Sequence, residues 1–143
     1  MEKKNIDWSS IGFGYMPTDY RYVSNFKDGK WDEGTLSTDP NIVLNECAGV
    51  LQYSQSVFEG LKAYTTEDGH IVTFRPDLNA ERMAASAARL EMPVFPKERF
   101  IDAVEQVVKA NAAWVPPYGS GATLYLRPYM FGSNAVIGVK PAD

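Results

Sequence analysis

A chain of 143 residues is long enough for one ordinary domain with its own core and too short for two. Hydrophobic residues make up 45% and charged residues 22%, which excludes a disordered or fibrous chain. The net charge of −4 argues against an extended nucleic-acid surface, although one or two well-placed arginines can still bind a small phosphorylated molecule. No apolar run approaches the roughly 20 residues needed to cross a bilayer. Met1-Glu2-Lys3-Lys4-Asn5 leads into Ile6, Asp7 and Trp8 rather than an apolar segment, so a signal peptide is not expected and the cytoplasm is. A single cysteine, Cys47, cannot close an internal disulfide and is expected to be buried and inert. With one histidine, His70, and no cysteine spacing of the zinc type, a metal centre is not expected.

In chain order, Tyr20 to Phe26 alternates aromatic or apolar with polar residues, and Lys27-Asp28-Gly29-Lys30 reads as a hairpin turn. Ile42-Val43-Leu44 and Gly49-Val50-Leu51 read as short strands. Ser54 to Leu61 reads as a short helix, capped by Ser54 or Ser56, with Val57, Phe58 and Leu61 on one face. Lys62 to Thr65 and Ile71 to Phe74 flank Glu67-Asp68-Gly69, the strongest hairpin signal in the chain. Arg75-Pro76 ends the second strand. Asp77 or Asn79 then caps a helix running to about Leu90, with an alanine-rich face suited to close packing. A second helix spans about Lys97 to Ala112, with Phe100, Val104, Val107 and Val108 at helical spacing. Trp114 to Gly119 breaks it, and Ala122 to Phe131 reads as a strand. This order predicts an α+β fold with a mostly antiparallel sheet and two or three helices.

Three arginines near element edges are candidates for binding an anion. Arg82, expected in the first turn of a helix, is either a phosphate ligand or simply solvated. Arg127 lies mid-strand, where a long cation needs an ionic partner or a bound anion; Arg75 ends its strand. Tyr53, Phe58, Tyr125 and Phe13 are either core aromatics or the lining of an apolar pocket. Glu59-Gly60 inside an apolar run is a local inconsistency of the kind that accompanies functional sites.

Several strings, in order, resemble the branched-chain amino-acid aminotransferases, which are fold-type IV pyridoxal-phosphate enzymes. They are Phe13-Gly14 with Thr18-Asp19-Tyr20, YSQSVFEGLKAY from Tyr53 to Tyr64, FRPDLNAERM from Phe74 to Met83, and LYLRP from Leu124 to Pro128, running on to Gly138-Val139. The match covers nearly the whole chain and implies the small N-terminal domain of such an enzyme. It implies that Arg82 binds the cofactor phosphate. Tyr125 and Arg127 would shape the substrate side, a pair that separates the L-branched-chain enzymes from D-amino-acid transaminases and aminodeoxychorismate lyases. Phe58 and Phe13 would wall the substrate pocket, while Tyr53, Ile137 and Val139 would reach the neighbouring subunit's site in a homodimer.

The implied reaction exchanges an amino group between leucine, isoleucine or valine and 2-oxoglutarate. An aromatic pocket accepts all three aliphatic side chains with weak discrimination, and Arg127 is the candidate partner for the side-chain carboxylate of glutamate. The lysine that forms a Schiff base with the cofactor is expected in a larger C-terminal domain outside residues 1–143. Lys62 matches an ordinary motif position, so the 143-residue chain alone is expected to be inactive. The competing reading is a non-catalytic binding or dimerisation module.

Overall fold

The structure, a computed structural model, describes residues 2–142. Every strand pairing in the described residues is antiparallel, and three α-helices accompany the sheets, as the α+β expectation required. The N-terminal part carries β1 (Arg21–Val23), β2 (Phe26–Lys27), β3 (Lys30–Trp31) and β4 (Thr35–Ser37). β1 pairs with β4, while β2 and β3 form the predicted hairpin. Asp28 and Gly29 take φ of +52° and +78°, which a two-residue turn of type I′ demands.

Two predicted strands are not strands. Residues 42–44 are irregular, and Gly49–Tyr53 forms the short helix α1. The predicted helix over Ser54 to Leu61 is also corrected. Ser54 is the left-handed C-cap of α1, after which the chain runs extended through β5 (Ser56–Phe58) and β6 (Leu61–Thr65). Val57, Glu59, Leu61 and Ala63 are buried, whereas Ser56, Phe58, Gly60, Lys62 and Tyr64 are exposed. That period of two is the pattern of a strand with one face on the core.

β6 turns back through the predicted hairpin into β7 (Ile71–Thr73). Its other edge pairs with β8 (Leu124–Leu126), and β5 pairs with β9 (Tyr129–Phe131). The pairs Phe58↔Tyr129 and Leu61↔Leu126 share one register, so β5–β6 and β9–β8 form one continuous ribbon. The expected strand from Ala122 to Phe131 is therefore present but interrupted at Arg127-Pro128, because proline brings no N–H to the ladder.

α2 (Pro76–Arg89) and α3 (Lys97–Ala110) cover the inner face of this ribbon. α2 contributes Ala80, Met83 and Ala87, and α3 contributes Phe100, Val104 and Val108, both at helical spacing. They close over Val57, Leu61, Ala63 and Leu126. The expectation for α2 needs one correction: Arg75, at φ +47°, is its N-cap and pairs with Asp77, so neither Asp77 nor Asn79 caps it. Beyond α3, the buried Asn111 staples the N-terminal part to the core. Its side chain accepts from the Tyr20 N–H at 3.0 Å and donates to the Tyr20 carbonyl at 2.9 Å. Cys47 is only half-buried, contrary to expectation, because it lies in the irregular stretch before α1.

Candidate functional site

The interruption in the ribbon is where the candidate residues gather. Glu59-Gly60 lies opposite Arg127-Pro128, bridged by the Glu59 N–H donating to the Pro128 carbonyl at 2.8 Å. Alternation along the strand sends Phe58 and Gly60 to the outer face and Glu59 to the inner face. Two groups result, back to back.

On the outer face, Arg127 donates from Nε to the Tyr125 hydroxyl at 3.0 Å. Its guanidinium lies 4.3 Å from the Phe58 ring centroid and 5.3 Å from that of Tyr125. Contact with the two rings and the hydrogen bond from Nε hold the cation in place, and its Nη groups are left as donors for an anion. Gly60 gives Tyr125 room to approach the strand closely: a Cβ there would sit 2.5 Å from the Tyr125 hydroxyl. Of the candidates, Phe58, Tyr125 and Arg127 are thus brought together, and the two aromatics are exposed rather than packed in the core. Tyr64, Phe74 and Tyr129 are exposed as well, in or next to the same strands.

On the inner face, Glu59 is only 5% exposed. It accepts from Arg82 Nε at 2.7 Å and Arg82 Nη2 at 2.5 Å, and from Asn79 Nδ2 at 2.8 Å. Arg82 is not in the first turn of α2 as expected, but further along, facing the strand rather than the helix terminus. The pairing shows why Glu59 is tolerated in an apolar run, and α2 places Asn79 and Arg82 on one face, three residues apart. Glu59 and Asn79 were not among the predicted site residues; the odd Glu59-Gly60 was the available signal. Removing Arg82 would leave a buried carboxylate without its counter-charge and so destabilise the fold.

Burial pushes the Glu59 carboxyl up, but the hydrogen bonds from Arg82 and Asn79 and the guanidinium charge outweigh it, holding it below the ordinary value of 4.5. A carboxyl depressed by folding contributes stability above its unfolded value and loses it as pH falls through the folded one. Urea unfolding at pH 7 is therefore expected to show Glu59→Gln destabilised relative to the parent, with the gap narrowing below about pH 4. A gap of constant size at both pH values would contradict an ionised Glu59.

The other candidates stand apart from both groups. Tyr53 ends α1, while Phe13, Ile137 and Val139 are highly exposed. An isolated bridge between Ala48 and Ala135 ties the segment leading to Ile137 to the start of α1. Among the described residues, no helix is long and apolar enough to cross a membrane.

No protein-family model matches the chain. A branched-chain-amino-acid aminotransferase of Haemophilus influenzae is 55% identical over 139 residues, covering 97% of this chain and 40% of that protein. Branched-chain amino acid aminotransferase 2, chloroplastic, of Humulus lupulus is 48% identical over 143 residues, covering 99% of this chain and 35% of that protein. Among solved structures, a T.th. branched-chain amino acid aminotransferase complexed with N-(5'-phosphopyridoxyl)-L-glutamate matches with a TM-score of 0.66 at 26% identity. That likeness covers 89% of this chain and 37% of the other. The chain is thus similar in sequence, along nearly its whole length, to branched-chain-amino-acid aminotransferases, and in fold to the small N-terminal domain of their solved structures; it spans about two fifths of their length.

Proposed function

We propose that the full-length protein transfers the amino group between branched-chain L-amino acids and 2-oxoglutarate with pyridoxal 5'-phosphate, and that residues 1–143 form its small domain. The observation that carries this reading is the outer-face cluster of Arg127, Tyr125 and Phe58, an anion donor framed by apolar rings. It suits a pocket that takes an aliphatic side chain in one half-reaction and a side-chain carboxylate in the other. The rings supply weakly discriminating apolar contact, and Arg127 supplies the donors for glutamate or 2-oxoglutarate.

The residues present fit the cofactor. Arg82 keeps N–H groups beyond the two engaged by Glu59, and its side chain is 62% exposed, so a phosphate can reach it. The T.th. relative holds a phosphopyridoxyl compound, which supports the same assignment. When bound, pyridoxal phosphate supplies the electron sink for chemistry at the substrate α-carbon. The chain's own part is then to hold the phosphate at Arg82 and the substrate side chain at Phe58, Tyr125 and Arg127.

In this reading the Schiff-base lysine comes from further chain of the full-length protein, residues 1–143 alone are inactive, and two copies pair. The aromatic outer face is left open by residues 2–142, as a surface to be covered by such a domain would be. The exposed Tyr53, Ile137 and Val139 are assigned to the neighbouring subunit's site, and Phe13 to the pocket wall. A cytoplasmic location belongs to the same proposal, supported by a lone cysteine that needs no oxidising compartment; the Humulus lupulus relative is named as chloroplastic.

The test is transamination by the full-length protein with L-leucine and 2-oxoglutarate, compared with D-alanine as amino donor. Leucine turnover that Arg127→Leu lowers mainly through the 2-oxoglutarate half-reaction is expected. Turnover of D-alanine alone, or no turnover of any donor, would overturn the assignment.

A further inference from the structure

Glu59 is the one buried carboxylate in the described residues, and the proposed function has so far given it no task. Its position is determined from three sides. The strand directs it inward, Asn79 donates to Oε2, and Arg82 donates to both oxygens. Asn79 is itself buried and also donates to the Gly60 carbonyl at 3.2 Å, so the amide is anchored on the same strand as the carboxylate it holds. The exposed and rotamer-rich partner is Arg82. Left alone on α2, a side chain with that freedom would sample many orientations.

A guanidinium carries five N–H groups on two usable edges. Glu59 takes the edge formed by Nε and one Nη2 hydrogen. The edge formed by Nη1 and the second Nη2 hydrogen has no partner among the described residues, and it matches two oxygens of a phosphate monoester. The pair also cannot open easily to make room for a ligand. Releasing Arg82 would strand a buried charge, which costs more than one solvent-exposed phosphate contact returns. The anion must therefore bind to the arginine as Glu59 presents it.

We propose that Glu59, clamped by Asn79, is a positioning residue that holds one edge of the Arg82 guanidinium so that its other edge is preset for a phosphate monoester. This rests on the reading of Arg82 as the cofactor-phosphate ligand. The opposite outcome is physically conceivable: a carboxylate so close to a phosphate site repels the anion, and its removal would then tighten binding. The two cases differ in sign, so one measurement separates them.

The experiment compares equilibrium binding of pyridoxal phosphate and of pyridoxal, which lacks the phosphate, to the full-length protein. The variants are Glu59→Gln, Glu59→Asp and Arg82→Gln, each checked for folding by circular dichroism. The expected result is that Glu59→Gln lowers the ratio of the two affinities by about tenfold, from a misdirected charge-assisted fork, with pyridoxal binding unchanged. Adding Arg82→Gln to Glu59→Gln should lower it little further than Arg82→Gln alone. Glu59→Asp keeps the charge and the pairing but withdraws the carboxylate by one methylene; it should fold and still lower the ratio, and it decides the matter if Glu59→Gln does not fold. A purely structural Glu59 would weaken both ligands together and leave the ratio alone. An unchanged or raised ratio in the Glu59 variants, with Arg82→Gln still lowering it, would overturn the positioning role and leave the proposed function intact. An unchanged ratio in Arg82→Gln itself would overturn the phosphate reading beneath both.

Discussion

Gly60→Ala is expected to cost the full-length protein about 10–100-fold in kcat/KM for leucine and 2-oxoglutarate while changing stability by less than about 1 kcal/mol. The added Cβ would stand 2.5 Å from the Tyr125 hydroxyl and 3.1 Å from its ring, so that ring must move. Tyr125 is half-exposed and can swing outward, which keeps the thermodynamic cost small. Gly60 does not use the left-handed conformation, so its backbone accepts alanine without strain. What is lost is geometry: the hydrogen bond from Arg127 to Tyr125 and the contact of its guanidinium with the Tyr125 ring. Steady-state kinetics with a thermal melt checks both halves. If Tyr125→Ala is combined with it, Gly60→Ala should add nothing. Unchanged kinetics in the single variant would show that the Tyr125–Arg127 arrangement does not serve the reaction.

The largest loss of stability is expected from Phe100→Ala, about 3–5 kcal/mol. Phe100 is 4% exposed and belongs to the cluster in which α3 closes over α2 and the inner face of the ribbon. Folded domains hold only about 5–15 kcal/mol in total, so the variant should lie near its unfolding threshold at ordinary temperature. Phe13→Ala removes the same side chain from a fully exposed position and should shift the urea midpoint of the 143-residue chain hardly at all. A loss below about 1 kcal/mol for Phe100→Ala would mean that the α3 face does not form the core.

The elements whose pattern is long or whose turn chemistry is specific were legible from residues alone. Phe100, Val104 and Val108 repeat over enough turns to define α3, and Asp28-Gly29 and Glu67-Asp68-Gly69 announce their hairpins through positive-φ chemistry. Ser54 to Leu61 was not legible. Val57, Phe58 and Leu61 suit one face of a helix, and only the burial of Glu59 between Val57 and Leu61 reveals a period of two. A glutamate in that position looks like a solvent-facing residue until its partner on another element is known.

The same division holds for the candidate site. The amino-acid sequence by itself determined the fold class, the two main helices, the family resemblance and the roster of arginines and aromatics, because these depend on local periodicity and on motif strings within short stretches. Tertiary structure decided that residues 56–65 are extended, since their strand is completed by residues 124–131, more than sixty positions away. It also decided that Phe58 meets Arg127 on one face while Glu59 seizes Arg82 on the other. Neither contact lies within a single helix turn or hairpin. Each exists because a strand sends adjacent side chains to opposite faces, and only the packing of α2 and β8 on that strand determines which partner waits on each side.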